Sequence, residues 1–234
     1  GDVTVTSIDN TESTSNSISS MIGFWAKIDE SSGKNEIDTA NNITITDSKL
    51  TAHTDLIVKA YSVAIMEAKV DASGGGFLSG TDVSAKNTLT RSTIVRIEGI
   101  SKLLADYGLL EVVAEAGSQD DIYTDATVSS GGGVDISDAR ARNEIDSDAI
   151  ISIAGNTQLI NNFGKIKVNS VTSMERLRSV ASAADWAVLG VNPDSRVTTE
   201  LYLRSLLQIN GASSGAGGVV IKAKNVELQA YLEE

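Results

Sequence analysis

The sequence contains no cysteine, a single proline (Pro193), a single histidine (His53), and aromatic residues at only 4%. Without cysteine there are no disulfides, no thiolate metal sites and no cysteine nucleophile. A lone histidine with no second ligand type nearby argues against a zinc site or a nucleophile–base pair, so His53 in TAHTDL is expected at a corner or on the surface. Basic residues are also scarce, 19 against 31 acidic for a net charge of −12, and they form no cluster. That balance opposes nucleic acid and anionic lipid as partners. No apolar run approaches the ~20 residues of a membrane helix, and the opening GDVTVTSIDN has neither the basic nor the apolar region of a signal peptide. There is no Walker loop, no HExxH and no nucleophilic-serine motif, and nothing in the chain calls for a cofactor.

What is present is strand and turn chemistry. Hydrophobic residues make up 41% of the chain, drawn mainly from Val, Ile, Leu and Ala, alongside 20 glycines and heavy use of Ser, Thr, Asn and Asp. That content is enough for a continuous core in 234 residues.

The chain also repeats. NEID occurs at 35–38 and again at 143–146, and the flanking sequence keeps step. Laying residues 94–116 over 150–172 matches Ile94 with Ile150, Ile97 with Ile153, Gly99 with Gly155, Leu103 with Leu159, Gly108 with Gly164 and Val112 with Val168, all at one constant offset. Tyr107 over Phe163 and Leu104 over Ile160 exchange shape for shape. LLQING at 206–211 and ITITD at 43–47 extend the series, so that NEID (35), NTLT (87), NEID (143) and TELY (199) stand in phase along the chain.

The unit so marked out, roughly 52 to 56 residues long, divides into three pieces of about 17 to 20 residues, each with short alternating runs such as Ile166-Lys167-Val168 bounded by Gly, Asn, Asp or Ser. This predicts an all-β chain, a single-stranded parallel β-helix of about twelve rungs of roughly 19 residues. Slim β-branched side chains fill such a tube, and Gly99, Asn156, Asn161, Asn162 and Gly164 take the corners. At ~4.8 Å per rung, equivalent positions of the long unit would lie about 14 Å apart, so Asn87 and Asn143 are expected not to touch. The apolar spacing in 174–185 also fits a short helical excursion.

Few residues invite chemistry. Asp120, Asp121 and Asp125 in SQDDIYTDATV could hold calcium in a polysaccharide lyase, with Arg140 and Arg142 as the nearest bases in sequence, but solvated turn acids are the preferred reading. SGGG at 73–76 and 130–133 lacks a following Lys-Ser/Thr and reads as flexible loops between rungs. Trp25 and Trp186 would stack on sugars if exposed, whereas their apolar flanks favour packing in a wider rung. Arg176, Arg178, Glu175 and Asp185 read as an exposed mixed-charge contact face.

Segments such as LIVKAYSVAIMEAKVDASGGG (56–76) and KIKVNSVTSMERLRSVASA (165–183), cysteine-free and rich in Ile-x-Ile, Ala-x-Ala and Gly/Asn corners, resemble large bacterial exoproteins. The similarity is to filamentous-haemagglutinin and leukotoxin-type adhesins exported by two-partner secretion. It implies a right-handed parallel β-helix on the outer surface of a Gram-negative-type cell, contacting a host receptor or glycan through its parent protein. On this reading residues 1–234 are one elongated segment of a longer stalk, without catalysis or membrane insertion, whose uncovered ends would stack end to end. The alternatives are a β-helix lyase or glycan hydrolase, and a phage-type fibre.

Overall fold

The computed structural model describes residues 1–22, 25–211 and 217–233. These are all-β, and no residue among them is helical. Twelve strands follow in chain order: β1 (Val3–Ile22), β2 (Ala26–Thr46), β3 (Lys49–Ala52), β4 (Leu56–Glu98), β5 (Lys102–Ala105), β6 (Leu109–Ala116), β7 (Asp121–Gly155), β8 (Gln158–Asn161), β9 (Lys165–Ser173), β10 (Arg176–Gly211), β11 (Val220–Lys222) and β12 (Asn225–Glu233). Residues 176–185, where the spacing also fits a helical excursion, belong to β10. Their apolar spacing arises because Leu177, Ala181 and Ala183 pack against the core and Trp186 faces outward.

Every strand pairing is parallel, and it sets the repeat. Val3 pairs with Leu56, Leu56 with Leu110, Leu110 with Ile166 and Ile166 with Val226, so one column of the sheet crosses all five positions in steps of the full repeat. β4 lies against β7 in unbroken register for most of its length, and β7 lies against β10 with one register shift, between Ala187 and Gly190 at the limb tip. The long unit is therefore itself the pairing period. The expected rungs of roughly 19 residues, and the count of twelve, do not describe how these strands pair. Dividing the unit in three fails because the fold does not limit the width of a layer: only the neighbour directly above or below must match.

Each layer has two long limbs and a short base. In the first layer β1 runs out and β2 returns facing it, and side chains meet in the gap: Ser13 Oγ donates to Asn35 Oδ1 at 3.2 Å and Ser17 lies 2.9 Å from Ser31. β4, β7 and β10 each supply both limbs of their layer in one bent strand. At ~3.3 Å per residue, the limb from Ser62 to the bend near Phe77 reaches roughly 50 Å, whereas four layers at ~4.8 Å stack to only about 20 Å. The base is closed by a second sheet, β3, β5, β8 and β11, whose Leu50, Leu103, Leu159 and Ile221 form one column. Where the return limb turns into that sheet, Gly99 and Gly155 adopt φ of +71° and +74°, beneath Asp47 at φ +49°. Asp47 holds the turn by accepting the Ile100 amide through Oδ1 at 2.7 Å.

The core falls into three compartments along the limbs. Near the tip the apolar filling is Ala68, Val70, Ala72, Val83, Ala85 and their counterparts one layer on, with buried Thr81, Ser130, Asp135 and Ser137 beside it. Larger residues follow, including Met66, Leu89, Ile122 and Ile145, and the base holds Ile97, Leu103, Leu110, Ile151, Ile153 and Ile166. Polar columns separate the compartments. The asparagines of the repeated motif form one of them, buried at 4%, 0% and 0% exposure for Asn35, Asn87 and Asn143. Asn35 Nδ2 donates to Asn87 Oδ1 at 3.0 Å, and Asn87 Nδ2 donates to Asn143 Oδ1 at 3.2 Å. The expectation that Asn87 and Asn143 stand apart is corrected: they are partners in register.

Candidate functional site

Asp120, expected as a solvated turn acid, is buried against Arg91, with 0% and 1% of their side chains exposed. Two parallel bonds of 2.8 Å join Arg91 Nη1 and Nη2 to the two carboxylate oxygens. Arg91 also donates to Ser147 Oγ through Nε at 3.0 Å, and the Ala64 amide donates to Asp120 Oδ1 at 2.8 Å. The pair stands at the foot of the limbs and divides the middle compartment from the base. Its role is structural, since a charge held this way presents no face to solvent. Sequence reasoning missed Arg91. Its column reads Thr39, Arg91, Ser147, Leu203, and only stacking at the full unit length brings Ser147 beneath it.

Asp121 and Asp125 lie on the outer face of β7, four positions apart on one strand and thus ~13 Å from each other. They cannot share an ion with each other or with Asp120. Among the described residues no group of three or more His, Asp or Glu side chains is placed to hold a metal. Arg140 and Arg142 lie on the return limb instead. There Arg140 pairs with Asp138 and Asp82, and Arg142 with Glu200 and Glu144.

The structure does bring Asp121, Arg176 and Arg178 together. They line a groove of 730 Å³ with Ile65, Met66, Glu67, Tyr123, Glu175 and Leu177. The residues come from three successive layers, in columns Ile65–Asp121–Arg176 and Glu67–Tyr123–Arg178. Arg176 Nη1 lies 3.6 Å from Asp121, and the Arg178 guanidinium sits 5.3 Å from the centre of the Tyr123 ring. Tyr123 donates to Asp125 at 2.7 Å, and this bond, with burial, holds the phenol above its ordinary range. Three acids against two arginines leave this face without selectivity for either sign of charge. It is a mixed-charge surface, and Tyr123 is the member that sequence reasoning missed. Asp185, grouped with the arginines on paper, faces inward and accepts from Ser130 at 3.1 Å.

The two tryptophans are not packed in a wide rung. Trp25 is 71% exposed and Trp186 is 81% exposed, both at the limb tip, where the gap between limbs is too thin to admit an indole. Trp25 meets Phe77 edge to face at 6.2 Å. The two SGGG stretches are not loops between rungs either. They lie inside β4 and β7, and residues 74–76 pair with 130–132 in the bend. A side chain at Gly133 would run into Phe77, 2.7 Å from its carbonyl and 2.9 Å from its ring. One at Gly131 would sit 3.2 Å from the Trp186 carbonyl and 3.9 Å from its indole Cδ1. Glycine in the third layer thus makes room for the Phe77 ring of the second and lets the Trp186 backbone of the fourth approach closely. Beside Trp186 lies a concavity of 580 Å³ walled by Trp186, Ala187 and Val188 and floored by Ser73, Gly74 and residues 129–132.

His53 is at a corner, as expected, with 66% of its side chain exposed. It begins a ladder of surface rings in which Tyr107 follows at 5.3 Å and Phe163 stacks on Tyr107 at 4.9 Å. No helix among the described residues is long and apolar enough to cross a membrane. Nothing among known protein families, curated proteins or solved structures matches this chain.

Proposed function

We propose that this chain is a structural, adhesive segment of a secreted or surface-displayed bacterial exoprotein, built as a single-chain right-handed parallel β-helix of wide coils and acting without catalysis. The observation that carries the reading is the direct stacking of whole layers in register, joined by apolar columns and the Asn35–Asn87–Asn143 ladder. Stability in such an array is a sum of layer and neighbour contributions, so the design needs no central site and extends by adding layers. The resemblance to two-partner-secretion adhesins points the same way and supplies the location, outside the cell.

The proportions refine the role. A layer of roughly 52 to 56 residues advances the stack by only ~4.8 Å, which makes this segment a poor spacer. Its limbs reach out roughly 50 Å, so it serves instead as a lateral fin presenting surface on a long axis. Binding is tested by incubating the purified chain with host epithelial monolayers. Saturable retention, competed by excess unlabelled chain, is expected, and non-saturable background equal to an unrelated acidic β-protein refutes the adhesive reading.

A further inference from the structure

We infer that the concavity at the limb tip is a binding site for a neutral saccharide, with Trp186 as its stacking wall. The inference gives the adhesive reading a ligand class and rests on that reading for its biological meaning. Three observations carry it.

The first is Trp186 itself. An indole 81% exposed keeps one of the largest apolar side chains in water, and it stands over a hollow rather than over flat sheet. A planar ring exposed beside a concavity suits the apolar C–H face of a pyranose, which needs a flat apolar partner and leaves its hydroxyls free.

The second is the geometry of the floor. In the column Gly75–Gly131–Trp186 two adjacent layers carry no side chain where the next carries the indole. The hollow therefore spans two layer spacings, about 10 Å, beside one wall. Its 580 Å³ has room for one or two sugar rings.

The third is chemistry. Ser73 and Ser129 stand one above the other in the neighbouring outward column and are exposed along the floor. Hydroxyls can both donate and accept, as a polyol requires. Among the described residues no charged side chain lines the hollow, which argues against an anionic or cationic ligand and separates this site from the mixed-charge groove at Tyr123 and Arg178.

The test uses the whole chain. Because Trp25 and Trp186 are the only tryptophans, W25F leaves Trp186 as the sole reporter of the tip. The probes are methyl β-glucoside, methyl β-galactoside, N-acetylglucosamine and lactose, titrated to tens of millimolar and followed by indole emission in W25F and by saturation-transfer NMR in every variant. At least one is expected to give a saturable change with a millimolar dissociation constant. W186A should weaken that binding at least tenfold, W186F should retain most of it, and neither should move the urea midpoint, since the side chain is outside the core. Absence of a saturable response to every probe overturns the inference, as does unchanged affinity in W186A. Vesicles of neutral phosphatidylcholine are the control for the other apolar occupant: a blue shift of Trp186 with vesicles and none with sugars overturns it in favour of a lipid surface. If cell retention persists in W186A, the saccharide site fails while the adhesive reading stands. If sugars bind but cells do not retain the chain, the reverse holds.

Discussion

Replacing Asn87 by aspartate changes one NH2 group into an oxygen and leaves shape and volume almost unaltered, so it isolates the asparagine ladder from packing. In the native chain Asn87 Nδ2 donates to the Tyr123 carbonyl at 2.8 Å, to Thr124 Oγ1 at 3.1 Å and to Asn143 Oδ1 at 3.2 Å. In N87D the first and third become contacts between acceptors, at a position with 0% exposure. The Thr124 hydroxyl can turn to donate only by giving up its own bond to Asn143 Oδ1. Two unmade buried hydrogen bonds at about 1–3 kcal/mol each give a loss of about 2–6 kcal/mol at neutral pH. The loss carries a pH signature. Asn35 still donates to one oxygen of the new carboxyl, but burial and the acceptors facing the other raise its folded pKa above the unfolded value of ~3.9, so above that pH the unfolded state binds fewer protons. Stability then falls by about 1.4 kcal/mol per pH unit until the folded pKa is reached, and the variant lies closest to the parent below pH ~4. Urea unfolding monitored by far-UV circular dichroism of the β-sheet between pH 4 and 8 reads this directly. Superimposable curves for N87D and parent across that range would refute the buried ladder. The double-mutant cycle of N87A with N143A should show a coupling of about 0.5–3 kcal/mol, as for residues in contact. Were the two asparagines three rungs apart, the coupling would vanish.

Other predictions follow from the same layers. Arg91→Leu strands the Asp120 carboxylate and should cost about 3–5 kcal/mol, while Arg91→Leu with Asp120→Leu should recover most of it, because Leu203 already occupies this column in the fourth layer. A single variant within about 1 kcal/mol of the parent in the same urea assay would count against the buried pair. Burial acts to raise the Glu115 carboxyl, but hydrogen bonds from Lys59 and Ser118 outweigh it and hold the pKa below the ordinary value. A depressed folded pKa contributes stability above the unfolded value of ~4.3 and loses it as pH falls through the folded one, so Glu115→Gln should destabilise at pH 7 and converge with the parent in acid. At Asp82 burial, opposed by Arg140 and reinforced by Asp138 and Glu30, raises the pKa. Asp82→Asn should therefore raise the melting temperature at pH 7 and lose that advantage below pH ~4, and an unchanged melting temperature at pH 7 would refute the raised pKa of Asp82.

The sequence by itself determined the strand chemistry, the slim apolar core and the phase of the repeat. Each of these is a local or self-similar property, and Ile97 over Ile153 or Asn35 with Asn87 and Asn143 can be aligned without knowing any fold. It also exposed the corner positions, since a backbone at positive φ such as Gly99 selects its residue type locally. Only the tertiary structure decided how wide a layer is, and with it every contact of consequence. Whether Asn87 and Asn143 touch or stand three rungs apart depends on where the chain bends, and the tip glycines, although Gly75 and Gly76 recur in step as Gly131 and Gly132, read equally well in sequence as loops between short rungs. Asp120 could not be read as buried until Arg91 was brought across from the facing limb. For the same reason Trp186 passed for a core residue: its neighbours in sequence are apolar, but its neighbours in space are glycines of the layer beneath and solvent.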